Sequence, residues 1–94
     1  MSNLTNKIAI VSAAGRGIGK GIAISLAEAG ATVIVNSYSR ETTESTVAEI
    51  TQSGGSARAF PGDITDPELM LAITNSTIED FGRIDILVNN AGIT

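Results

Sequence analysis

Cysteine and histidine are both missing from the 94 residues, which removes whole classes of chemistry at once. Without them the chain has no disulfide, no thiolate or imidazole zinc site, no Cys or His nucleophile and no Ser-His-Asp arrangement. The lack of cysteine is compatible with a reducing compartment. Positive charge is also scarce, with six Lys and Arg against ten Asp and Glu and a net charge of −4. Lys7, Arg16, Lys20, Arg40, Arg58 and Arg83 are scattered along the chain and form no basic run that could neutralise successive phosphates, so nucleic acid is not expected as a partner. No apolar run approaches the roughly 20 residues needed to cross a bilayer, and the stretch from Met1 to Lys7 lacks the apolar core of a signal peptide. A soluble cytoplasmic protein with no membrane partner is therefore expected.

What remains is an ordinary globular composition, 43% hydrophobic and 17% charged, which excludes a charge-rich disordered chain and implies one domain over residues 1–94. A domain this short buries only roughly 60 to 65% of its unfolded surface, so its stability margin is thin unless a partner covers part of it.

Hydrophobic periodicity divides the chain into alternating elements. Lys7 to Ser12 is a short β-branched run suited to a strand buried on both faces. Ile18, Ile22, Leu26 and Ala29 then recur at helical spacing and stop at Gly30. Ala31 to Val35 repeats the buried-strand pattern, and Thr43, Val47 and Ile50 mark a second helix ended by Gly54-Gly55. Ser56 to Phe60 reads as a third strand. Thr65-Asp66-Pro67-Glu68 supplies an N-cap, a first-turn proline and a Glu placed for a capping box. The third helix carries Met70, Ile73, Thr77 and Phe81 on one face and ends at Gly82, before a fourth strand over Ile84 to Val88. Strict β-α alternation with short connections implies right-handed crossovers and an α/β, doubly wound parallel sheet of Rossmann-like type.

Such sheets bind ligands beyond the carboxyl ends of their strands, which directs attention to four loops. After the first strand comes Ser12-Ala13-Ala14-Gly15-Arg16-Gly17-Ile18-Gly19, where glycines admit a close backbone approach and a helix N-terminus offers N–H groups to a pyrophosphate. The strict G-x-G-x-x-G pattern fails, because Lys20 stands three residues after Gly17. The P-loop pattern fails too, needing glycine at Ala14 and Ser or Thr at Gly21. By itself the loop is also compatible with tight packing alone. After the third strand, Asp63 can accept from an exocyclic amine beside an apolar Ile64, or it can help cap the following helix with Thr65 and Asp66. After the fourth strand, Asn89 and Asn90 can tie neighbouring loops together while facing a ligand, or form a simple turn.

Taken together, Ser12 to Gly19, Asp63-Ile64 and Asn89-Asn90-Ala91-Gly92 after Gly82-Arg-Ile-Asp-Ile-Leu-Val88 resemble the short-chain dehydrogenase/reductase family. That family has a Thr-Gly-x-x-x-Gly-x-Gly turn, an Asp after the third strand and Asn-Asn-Ala-Gly after the fourth, in this order. The resemblance implies a dinucleotide-binding domain with strand order 3-2-1-4. It also implies that the adenine lies at Asp63 and Ile64, and that Asn89, Asn90, Ala91 and Gly92 run along the cofactor and brace the sheet. The ending Ala-Gly-Ile-Thr94 is similar to the 3-oxoacyl-carrier-protein reductase branch. One departure concerns the turn, where Ser12 stands for the usual Thr and Ala13 for the first glycine, so an added methyl sits where the diphosphate would pass.

Choice of cofactor rests after the second strand, where an acid would accept from the ribose 2′-hydroxyl of NAD and repel the 2′-phosphate of NADP. The stretch here is Asn36-Ser37-Tyr38-Ser39-Arg40, with Ser37 at the position of the family's acid. Donors from Asn36, Ser37 and Ser39, with Arg16 and Arg40, suit NADP as the preferred cofactor and leave NAD usable. Ser37 and Ser39 equally suit a helix-capping role, and Arg16 and Arg40 a solvated one.

The family's carbonyl reduction uses a Tyr-x-x-x-Lys pair with a Ser and a further Asn, all after the fourth strand, the nicotinamide supplying hydride. Tyr38 is the one tyrosine and residue 42 is Thr, so no catalytic residue is expected within the chain. It reads as the cofactor-binding part of a short-chain oxidoreductase, incomplete relative to the family, with a noncatalytic dinucleotide-binding module as the alternative. A different doubly wound enzyme such as a methyltransferase gives Asn-Asn-Ala-Gly no role. The apolar fourth strand at the sheet edge leads to an expectation of self-association.

Overall fold

The structure is a computed structural model that describes residues 3–89; Asn90, Ala91 and Gly92 lie outside the described residues. The elements run β1 (Ile8–Val11), α1 (Gly17–Glu28), β2 (Thr32–Val35), α2 (Arg40–Gln52), β3 (Ser56–Ala59), α3 (Pro67–Phe81) and β4 (Ile86–Val88). The four strands form one parallel sheet in the order β3-β2-β1-β4, as the family resemblance implied.

Alternation along the strands divides the core into two layers. Ala9, Val11, Val33 and Val35 face α1 and α2, where Ala23, Ala27 and Ile50 close over them. Ile10 and Ile34 face the opposite side and meet Ile73 of α3, with Phe60, Leu69 and Phe81 packed around them. Helix α1 buries Gly19, Ala23 and Ala27, three small residues at four-residue spacing, so its backbone can approach the sheet closely. All four residues of β1 are buried, as required of a strand with a neighbour on each edge and a helix layer on each face.

The ends of elements differ from the periodicity by a residue or two, and the causes are local. Helix α3 is capped by Asp66, whose carboxylate accepts from Glu68 N at 2.9 Å. Glu68 is thus the second helical residue, one position short of a capping box. Strand β4 starts at Ile86 because the two preceding residues have other tasks. Ile84 packs into the α3-side cluster, and Asp85 Oδ2 accepts from Ile8 N at 2.8 Å while its backbone N–H donates to Ile8 O. Arg83 grips the same carboxylate, with Nη2 2.6 Å from Oδ1 and Nε 2.9 Å from Oδ2.

The Arg83 guanidinium and the Ile8 N–H hold the Asp85 carboxyl below its ordinary value. A depressed folded value means that its stabilisation is complete above the unfolded Asp value of about 3.9 and is lost as acid titrates the folded carboxyl. Asp85→Asn is expected to melt lower than the parent at pH 7, and the difference is expected to shrink progressively below pH ~4. Thermal unfolding of both proteins from pH 7 to pH 3 measures this; a difference that grows toward acid would contradict it.

Candidate functional site

Parallel strands bring the loops after Val11, Val35, Ala59 and Val88 to one edge of the sheet. The first loop begins with Ser12, which is fully buried. Its Oγ lies 3.2 Å from the Val88 carbonyl and 3.3 Å from Asn89 Oδ1, so the first and fourth loops meet through side chains as well as through the Ser12 N to Val88 O bond. Ala13 adopts φ 54, the left-handed region that costs a residue with a Cβ about 1 to 2 kcal/mol. The turn keeps the conformation for which glycine would be chosen, and alanine bears the strain. Ala14 is buried, and its carbonyl accepts from Thr46 Oγ1 of α2 at 3.1 Å.

Gly15 and Gly17 serve opposite purposes. A Cβ built on Gly15 would collide with Ser37 Oγ and would stand 2.8 Å from Thr42 Oγ1, so protein atoms already fill that space. A Cβ on Gly17 would meet nothing within 4 Å, although φ is +63. The loop is closed at Gly15 and open at Gly17. Arg16 and Ile18 flank the opening and are exposed, Ile18 by 66%, whereas Gly19 packs inward beneath α1.

The N-terminus of α1 differs from those of the other helices. Ser39 caps α2 by accepting from Thr42 N, Asp66 caps α3, and Glu41 and Glu68 occupy their first turns. Helix α1 starts after Arg16 with no side-chain cap and no acid in its first turn. Its N–H groups and positive dipole end are thus left without a protein anion, next to the open space at Gly17. Lys20, Arg40, Arg58 and Arg83 each pair with a carboxylate, whereas Arg16 pairs with none among the described residues.

In the second loop Asn36 is 1% exposed and Ser37 8%. The Asn36 amide is used within the protein: Nδ2 donates to Phe60 O at 2.9 Å and Gly62 O at 3.2 Å, while Oδ1 accepts from Ala13 N at 3.4 Å. Ser37 Oγ lies 2.7 Å from Thr42 Oγ1, which is 2.9 Å from Ser39 Oγ, so three hydroxyls gather at the start of α2. Arg40 points along α2 to Glu44, 3.3 Å away. In the third loop Asp63 Oδ1 accepts from Thr65 N at 2.9 Å and Thr65 Oγ1 at 2.6 Å. These two donors, the side chain first, hold its carboxyl below the ordinary value. Ile64 is half-buried and packs toward Ile10, Ile34 and Ile73.

Thr42 and Thr46 matter to this arrangement, although helical periodicity in the sequence marks Thr43, Val47 and Ile50 as the α2 face. The buried set is Thr43, Thr46 and Ile50. Three hydroxyls at positions 42, 43 and 46, on a helix that must bury one face, were the available signal. Among the described residues no group of three or more His, Cys, Asp or Glu could hold a metal ion, and no helix is long and apolar enough to cross a membrane.

Residues 7–94 match the family profile described as short chain dehydrogenase. This chain belongs to the short-chain dehydrogenase/reductase family. It is 43% identical over 96 residues to the 3-oxoacyl-[acyl-carrier-protein] reductase of Synechocystis sp., an alignment that covers 100% of this chain and 38% of that protein. A solved 7α-hydroxysteroid dehydrogenase in complex with NADH and 7-oxo glycochenodeoxycholic acid superposes with a TM-score of 0.87 at 44% identity, over 92% of this chain and 34% of that one. A metagenomic short-chain oxidoreductase in complex with NADP gives a TM-score of 0.89 at 34% identity, over 95% and 40%. The chain spans about a third of the length of the curated relatives it matches.

Because Ala13 is strained and Gly15 is hemmed in, the two positions are expected to respond oppositely to exchange. Ala13→Gly relieves the left-handed strain at some entropic cost and is expected to stabilise the fold by about 0.5 to 1 kcal/mol. Gly15→Ala is expected to destabilise it by about 1 to 3 kcal/mol through overpacking against Ser37 and Thr42. Denaturant unfolding of the two variants measures both, and a shift in the same direction would contradict the assigned geometry.

Proposed function

We propose that this chain is the dinucleotide-binding part of a short-chain oxidoreductase that moves hydride between a nicotinamide cofactor and a carbonyl or hydroxyl substrate. The observation that carries the reading is the uncapped α1 N-terminus beside the open face of Gly17, which provides donors, positive potential and room for a pyrophosphate. The relatives solved with NADH and with NADP support a nicotinamide dinucleotide as the ligand class. In this reading Arg16, Gly17 and Ile18 receive the pyrophosphate while Gly15 and Gly19 shape the turn against the protein, Asp63 and Ile64 receive the adenine, and the stretch from Asn89 to Gly92 lies along the cofactor. Asp63 serves both its Thr65 turn and the base, since Oδ1 makes the turn contacts. The cofactor when bound supplies the hydride. The 94 residues contribute binding and orientation, the family's Tyr-x-x-x-Lys pair not being among them. A cytoplasmic location fits this chemistry.

NADP is the preferred cofactor in this reading. Ser37 leaves uncharged the position where an acid would repel a 2′-phosphate, and Arg16 carries a charge that no carboxylate among the described residues neutralises. Calorimetry at one fixed ionic strength is expected to show tighter binding of NADPH than of NADH. Ser37→Asp is expected to reverse that order, and Gly17→Val to weaken both by about tenfold or more, or about 1.4 kcal/mol. Equal affinities of the parent for the two cofactors would remove the preference, and an unchanged affinity in Gly17→Val would remove the site.

The outer edge of β4 and Leu87, 56% exposed, also suit association with a second copy of this chain. Light scattering on the 94-residue chain is expected to give a mass above the monomer, and an assay with NADPH and a panel of ketones is expected to show no turnover. A stable cooperative monomer would contradict the association, and turnover above a protein-free control would contradict the absence of catalytic residues.

A further inference from the structure

We propose that Asn36 is a positioning residue that fixes the first and third loops relative to each other, so that a ligand spanning both meets them at a set separation. The inference rests on the dinucleotide reading of the site. Strands β1 and β3 do not touch, because β2 lies between them, so no shared hydrogen-bond ladder sets the spacing of the loops that follow them. A residue at the end of β2 can reach both, and Asn36 does. On the first-loop side its backbone carbonyl accepts from Ala14 N at 2.7 Å and its Oδ1 from Ala13 N at 3.4 Å. On the third-loop side its Nδ2 donates to the carbonyls of Phe60 and Gly62. Its own N–H donates to Val11 O at 3.0 Å.

The chemistry needs a primary amide. One side must accept from an N–H and the other must donate twice, within the short reach of a residue that is 1% exposed. A carboxylate offers no donor, a hydroxyl donates once, and an apolar side chain would offer neither a donor to the two carbonyls nor an acceptor to the N–H. With both ends occupied, Asn36 acts on a ligand through the loops. It also holds the amides of Ala13 and Ala14, which helps maintain Ala13 in its left-handed conformation.

Three probes separate alignment from general loss of structure. ADP spans both loops, inorganic pyrophosphate addresses the first and adenosine the third. In Asn36→Asp, which keeps size and the acceptor but loses both donors, ADP affinity is expected to fall about tenfold, while pyrophosphate and adenosine each weaken less than about threefold. Equal loss for all three probes, or ADP binding within threefold of the parent, would overturn the inference while leaving the dinucleotide reading intact. Failure of the parent protein to bind ADP would overturn both. If Asn36→Asp does not fold, the parent still decides: its Asn36 side-chain amide resonances are expected to shift on adding pyrophosphate alone and on adding adenosine alone. Silence to both would overturn the inference.

Discussion

Burial of β1 on all sides is the constraint from which the rest of the molecule follows. Ile8, Ala9, Ile10 and Val11 have β2 on one edge and β4 on the other, and their side chains alternate between two helix layers. A strand with no route to water must satisfy every backbone group through its neighbours, and the helical crossovers bring β2 and β4 alongside it in parallel. In a parallel sheet all carboxyl ends then emerge together. The loop after β1 therefore opens among the other loops, and the α1 N-terminus that follows it places positive potential there.

The polar groups at that edge divide into those consumed by the protein and those left over. Asn36, Ser37, Thr42 and Thr46 spend their hydrogen bonds on loops and helix ends, and Asp63 commits one oxygen to Thr65. Among the described residues the start of α1 carries no side-chain cap, Arg16 is exposed and the face of Gly17 is open. Strain at Ala13 is the local cost of keeping the turn's shape with a methyl group present.

The helices show the same economy. Where a helix start is needed only for structure, at α2 and α3, a side chain caps it and an acid sits in its first turn. At α1, whose start lies at the carboxyl ends of the strands, the described residues supply neither. Salt bridges such as Lys20 to Glu49 between α1 and α2 lie partly in solvent and add little to stability. The packing of Ala23, Ala27 and Ile50 against the sheet holds these helices in place.

The sequence by itself determined the order of elements and their parallel arrangement. Period-2 and period-3.6 patterns, together with glycine and proline at the breaks, are local signals that survive without knowledge of contacts. It did not determine which polar side chains face the ligand and which face the protein. Asn36 and Ser37 read as donors for a phosphate, yet both are buried: Phe60, Gly62 and Ala13, distant in the chain, bond Asn36, and Thr42 of the next helix bonds Ser37. The same holds for Asp85, an apparent interruption of the fourth strand that bonds Ile8, 77 positions away. Gly15 and Gly17 look equivalent in the sequence, and only the side chains of Ser37 and Thr42 make one position closed and the other open. Such assignments depend on which side chains the folded sheet brings within hydrogen-bond distance, and no local pattern encodes that.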